Sequence, residues 1–187
     1  TRATAAAIKA GEYEKAEAMR GIDWSRVSQL VTVQAQLKPA KEVTDESPRI
    51  AIMTSGWPAP GMNNAIRTVV RVAMNAGHKV IGIEDGVEGL IAGRFRELSW
   101  MEVDNWAGSA GTKLGTNRTL PTEKDFYRIA VNLEKNRIDG LLIMGGWTAF
   151  TLATQLHKHR DTFEIFRIPL ICIPATINNN MPGVEHS

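Results

Sequence analysis

Apolar residues fall into short continuous runs from residue 49 onward and show almost no periodic order before it. The run RIAIMTS at 49–55 is apolar on both alternating sets of positions, which predicts a strand buried on both faces. KVIGIED, LLIMGG and RIPLICIPA repeat the pattern and predict three more strands. After the first strand, MNNAIRTVVRVAMNAG brings Ile66, Val69, Val70 and Ala73 back at helical spacing and closes at Gly77. TEKDFYRIAVNLEKNRI predicts a further helix ahead of LLIMGG. Strands that alternate with helices define an α/β domain: a doubly wound, mostly parallel sheet with helices on both faces.

The upstream stretch reads differently. Residues 2–20 combine strong helix formers with a weak apolar stripe at Ile8, Ala16 and Met19, which predicts a surface or linker helix ending at Gly21. KPAKEVTDESP, at 38–48, is polar, carries a proline near each end and lacks periodicity, so it predicts a linker. The division is therefore a helical tail and linker at 1–48 and an α/β domain at 49–187.

Composition narrows the function classes. With 187 residues, 43% hydrophobic and 22% charged, the chain can bury the core of one domain and is not of the disordered class. Its 22 basic and 20 acidic side chains leave a net charge of +2, too balanced to make nucleic acid or an anionic membrane the expected partner. The single cysteine, Cys172, sits in the apolar run IPLICIP and reads as a core thiol in a reducing compartment, so a cytoplasmic location is expected. No apolar run approaches the ~20 residues of a spanning helix, and the acids among the first basic residues are unlike a signal or transit sequence.

Ligands of such sheets bind beyond the carboxyl ends of the strands, which directs attention to four loops. TSGWPAPGMNNA leads into a helix N-terminus suited to an anion, or is a tight turn requiring Gly56, Pro58 and Gly61; without a following GK[ST] it is not a Walker loop. GSAGTKLGTNRTLP, at 108–121, offers Arg118 as a planar two-pronged phosphate donor, or is a solvated basic loop. MGGWTAF puts Trp147 where an indole caps the core or fills a pocket and cannot hold magnesium. In PATINNN the amides of Asn178, Asn179 and Asn180 can bind sugar or phosphate oxygens but cannot take a proton. His157 and His159, two apart on a helix, point in different directions and predict a solvated helix end rather than a metal site.

Taken in order, RIAIMTSGWPAPGMNNAIR, GIEDGVEGL, GTKLGTNR, DGLLIMGG and PATINNNMPG resemble the 6-phosphofructokinase family over residues 49–187. ELSWMEVDNW, LGTNRTLP, IPATINNN and MPGVEHS look like the C-terminal, regulatory half of the duplicated eukaryotic ATP-dependent enzymes, and AAIKAGEYEKAEAMRG like the tail and linker joining the halves. The resemblance implies an internal piece, incomplete at its C-terminus, of a cytoplasmic, oligomeric, allosteric transferase. This glycolytic kinase phosphorylates fructose 6-phosphate to fructose 1,6-bisphosphate.

In catalytic members the resemblance assigns magnesium and nucleotide phosphates to an acid at the position of Trp147, nucleotide approach to a glycine at Trp57, and proton abstraction to an aspartate at Asn178. All three are replaced, and the two tryptophans also depart from the GA and GF of the regulatory half. Loss of a general base alone costs ~10² to 10⁴ in rate. No catalytic residue, metal ligand or cofactor is therefore expected in this segment; magnesium and ATP belong to the catalytic half. The resemblance carries effector contacts to Arg118, Thr176, Ile177, Asn178, Asn179 and Asn180, with a sugar phosphate such as fructose 2,6-bisphosphate as effector. The implied partners are catalytic halves in a homo- or hetero-oligomer. Two other readings are a ligand-free lobe that supports oligomer assembly and a segment that itself phosphorylates a sugar phosphate using ATP or pyrophosphate.

Overall fold

Strand β1 (Arg49–Ser55) lies at the centre of a five-stranded sheet. The computed structural model describes residues 41–181 and the isolated positions 7, 10 and 183, so the expected tail helix lies almost entirely outside the described residues. Strands β2 (Lys79–Ile83) and β4 (Gly140–Gly145) flank β1 in parallel, and β5 (Leu170–Pro174) runs parallel to β4. Strand β3 (Phe95–Leu98) closes the other edge antiparallel to β2, giving the order β3-β2-β1-β4-β5. The sheet is thus mixed and mostly parallel, as the apolar runs imply.

Both faces are covered, which explains why those runs do not alternate with polar residues. Ala51 and Met53 turn to one side with Ile81, Ile83, Leu141 and Ile143, while Ile52 turns to the other with Val80 and Met144. Helix α1 (Met62–Asn75) covers the Ile52 face through Met62, Ile66 and Val70, and the chain leaves it through Gly77 at φ 91°. The opposite face carries α2 (Gly86–Ala92), α3 (Asp125–Lys135) and α4 (Trp147–Lys158). Val87 and Leu90, then Phe126, Ile129 and Leu133, then Ala149, Leu152 and Leu156 bury themselves against it.

The periodicity gives no sign of β3 or α2. Strand β3 is four residues long and carries Arg96 and Glu97, which meet Glu84, Glu102 and Lys79 in ion pairs. Charges of this kind on an edge strand discourage pairing with another sheet. The compact unit that holds the sheet spans Ala40–Ser187, so the segment from 41 to 48 belongs with it. The Lys79 ammonium reaches the Asp45 carboxylate at 2.6 Å, and the Lys79 N–H donates to the Pro48 carbonyl at 2.8 Å.

His157 is exposed, whereas His159 corrects the expectation of a solvated helix end. Its ring stacks on Phe126 with centroids 3.8 Å apart, Nδ1 lies 2.9 Å from the Gln155 carbonyl and Nε2 lies 3.1 Å from the Glu123 carboxylate. The Gln155 carbonyl and then Glu123 raise its pKa above 6.5, opposed by partial burial and by Lys158. A folded-state pKa above the unfolded value stabilises the fold fully below pH 6.5, and the contribution disappears as pH rises through the raised value. The melting temperature should therefore fall on going upward from pH 6.5, and His159→Gln should flatten that fall. An unchanged slope in the variant would contradict the assignment.

Candidate functional site

The connection from β1 goes to β2 on one side, whereas β4 lies on the other, so the strand order switches direction at the carboxyl ends of β1 and β4. A crevice opens at such a point. There β1 runs through Ser55 into Gly56 and Trp57, and its register partner β4 ends at Gly145 before Gly146 and Trp147. A Cβ on Gly145 would lie 1.9 Å from the Ser55 carbonyl oxygen, so no side chain is admitted. Gly56 takes φ 100°, a left-handed conformation that favours glycine, beside the Gly146 nitrogen. Trp57 and Trp147 thus follow two adjacent glycine turns, each indole 54% exposed. Ser55 is fully buried there, and its Oγ has no hydrogen-bond partner among the described residues.

The segment 108–121 is fastened across these turns rather than left as a solvated loop. Buried Asn63, in the first turn of α1, donates through Nδ2 to the Ser109 carbonyl at 2.8 Å and accepts the Lys113 N–H at 2.7 Å. The Thr54 hydroxyl donates to the Gly115 carbonyl at 2.6 Å, and the Asp85 N–H to the Leu114 carbonyl at 2.7 Å. Gly56 is held twice: its N–H donates to the Asn117 carbonyl at 2.7 Å and its carbonyl accepts the Thr116 hydroxyl at 3.0 Å. The consequence is that Arg118 lies with Cζ 5.0 Å above the Trp57 ring. A guanidinium held over an aromatic ring keeps N–H groups for other partners. Asn63, Thr54 and Asn117 escape sequence reading, although a polar pair opening an apolar helix, as in MNNAI, is the available hint.

At β5 the chain passes through Thr176, whose Cβ would sit 3.2 Å from a Cβ on Gly146. Its hydroxyl accepts the Asn178 N–H at 3.3 Å, and Asn179 takes φ 46°, a conformation that asparagine tolerates. Ile177, Asn178, Asn179 and Asn180 are exposed. Thr176, Ile177 and Asn179 border a cleft of about 510 Å³ whose other wall is Ala59, Met62 and Ala65, so this side is mostly apolar. The structure joins Arg118 to Trp57 over β1 and Thr176 to Gly146 over β4. The asparagines follow β5, which lies two strands from β1 in the sheet. No three His, Cys, Asp or Glu residues form a metal cluster among the described residues. Positions 57, 147 and 178 supply two indoles and a carboxamide, none of them an acid or a base at neutral pH.

An open α/β sheet with paired glycine turns at its switch point is built to receive a ligand beyond its strand ends. Within that class the chain belongs to the phosphofructokinase family, whose model, described as Phosphofructokinase, matches residues 49–187. It is 37% identical over 188 residues to the muscle-type ATP-dependent 6-phosphofructokinase of Canis lupus familiaris, covering 100% of this chain and 24% of that protein. Identity is 36% over 191 residues to the ATP-dependent 6-phosphofructokinase subunit alpha of Candida albicans, covering 100% and 19%. The crystal structure of Pichia pastoris phosphofructokinase in the T-state superposes with a TM-score of 0.75 at 34% identity, covering 100% of this chain and 20% of that one. The chain therefore spans about a quarter or less of these relatives. Among the described residues no helix is long and apolar enough to cross a membrane.

Proposed function

We propose that this chain is a non-catalytic, effector-binding segment of an ATP-dependent 6-phosphofructokinase. The observation that carries the reading is the contrast at the switch point. Arg118 is held there over Trp57 with no carboxylate within ion-pair distance among the described residues, whereas positions 57, 147 and 178 are tryptophan, tryptophan and asparagine. A phosphate can be bound by such a set, through a planar guanidinium and neutral amides. Proton abstraction cannot be performed by it. Hard divalent cations require oxygen ligands that two indoles and a lone carboxamide do not assemble, so the residues present do not fit magnesium and no step is routed through it.

The effector is a sugar bisphosphate such as fructose 2,6-bisphosphate, with one phosphate at Arg118 and the sugar reaching toward Thr176, Ile177, Asn178, Asn179 and Asn180. An asparagine in place of an aspartate keeps hydrogen bonding while removing repulsion between carboxylate and phosphate. Transfer of the ATP phosphoryl group to fructose 6-phosphate then belongs to a partner half within a cytoplasmic oligomer. The mostly apolar cleft beside Ile177 favours a second reading, a lobe that serves assembly.

Restoring acids tests the division of labour. Asn178→Asp combined with Trp147→Asp in the full chain should add no kinase turnover and should weaken activation by fructose 2,6-bisphosphate about tenfold, the scale of a lost charge-assisted hydrogen bond. A gain of turnover that depends on both substitutions would overturn the non-catalytic reading.

A further inference from the structure

We infer that Trp57 is the positioning residue for Arg118, fixing the guanidinium for a phosphate. The inference rests on the effector-site reading above.

A comparison within the molecule motivates it. Two arginines lie over indoles at the same distance, Arg71 over Trp100 and Arg118 over Trp57, each with Cζ 5.0 Å from the ring centroid. Arg71 is neutralised by Asp104 at 2.6 Å, and this ensemble fastens α1 to the turn at Asp104–Trp106. Arg118 has no carboxylate within ion-pair distance among the described residues. The same stacking therefore serves structure at Trp100 and leaves a positive charge unspent at Trp57.

The backbone makes the stack a fixed feature. Gly56 and Asn117, the chain neighbours of Trp57 and Arg118, are joined by the 2.7 Å N–H to carbonyl bond, and the Thr116 hydroxyl closes a second link to Gly56. Each partner is thus delivered to the other from a tethered residue. The indole remains 54% exposed, so filling the core is not its role. A long arginine side chain otherwise loses considerable rotamer freedom when it grips a ligand, and a guanidinium already ordered on an aromatic face loses less.

Calorimetric titration of the full chain with fructose 2,6-bisphosphate tests the inference. Arg118→Ala and Trp57→Ala should each weaken the bisphosphate about tenfold, and the double variant should be no weaker than Arg118→Ala alone, because one interaction has been removed twice. Trp57→Phe should recover most of the affinity by restoring an aromatic face. Unchanged melting temperatures in these exposed-site variants separate positioning from folding. If Arg118→Ala weakens binding but Trp57→Ala does not, or if the two losses add, the role of Trp57 is overturned and the effector site survives. If Arg118→Ala leaves binding unchanged, the effector-site reading fails and the positioning role fails with it.

Discussion

Gly145→Ala is expected to destabilise the chain by about 3 kcal/mol or more, lowering its thermal midpoint by roughly 6–12 °C. The new methyl would meet the Ser55 carbonyl oxygen at 1.9 Å, and that oxygen is backbone in the central strand. Ser55 and Gly145 are register partners, so relief requires β1 and β4 to separate where the site is built. Gly108→Ala is the matched control, because its methyl would find no atom within 4 Å. Thermal unfolding of the two variants side by side checks the claim, and a shift below about 2 °C at Gly145 would contradict the close approach of the strands.

The second large effect is at Phe126, where truncation to alanine should cost about 3–5 kcal/mol. The ring is 1% exposed, stacks under His159 and meets Phe166 edge-on at 6.4 Å. It therefore ties the first turn of α3 to the C-terminus of α4 and to the turn that follows. Urea unfolding should show a reduced midpoint with an unchanged slope. A loss below about 1 kcal/mol would mean the cluster can collapse around the gap, contrary to its packing.

What the sequence reveals follows from which contacts are local. β1 is legible because burial on both faces makes RIAIMTS a continuous apolar run, and α1 because Ile66 and Val70 recur on one side and Gly77 supplies the left-handed stop. β3 is not, since four residues with two charges show no period, and neither is α2, whose seven residues begin with a glycine and are followed by another. The same distinction holds at the site. Arg118, Trp57 and Trp147 attract attention as residue types following glycine turns, yet the stacking of Arg118 on Trp57 joins positions 61 residues apart and depends on the tethering of Gly56 to Asn117. His159 is misread from sequence for the same reason, because its partners Phe126 and Glu123 lie on a different segment. Asn63 is the clearest omission: a buried amide that orders residues 109–113 is indistinguishable in sequence from its exposed neighbour Asn64.

The central claim is that this site binds a sugar bisphosphate without reacting with it. Its most direct test is calorimetric titration of the full chain with fructose 2,6-bisphosphate in wild type, Arg118→Ala and Asn178→Ala. Saturable binding that weakens about tenfold in each variant, as loss of a hydrogen bond to a charged group requires, is the predicted result. Binding of equal strength in all three would contradict the account and move the effector away from these loops.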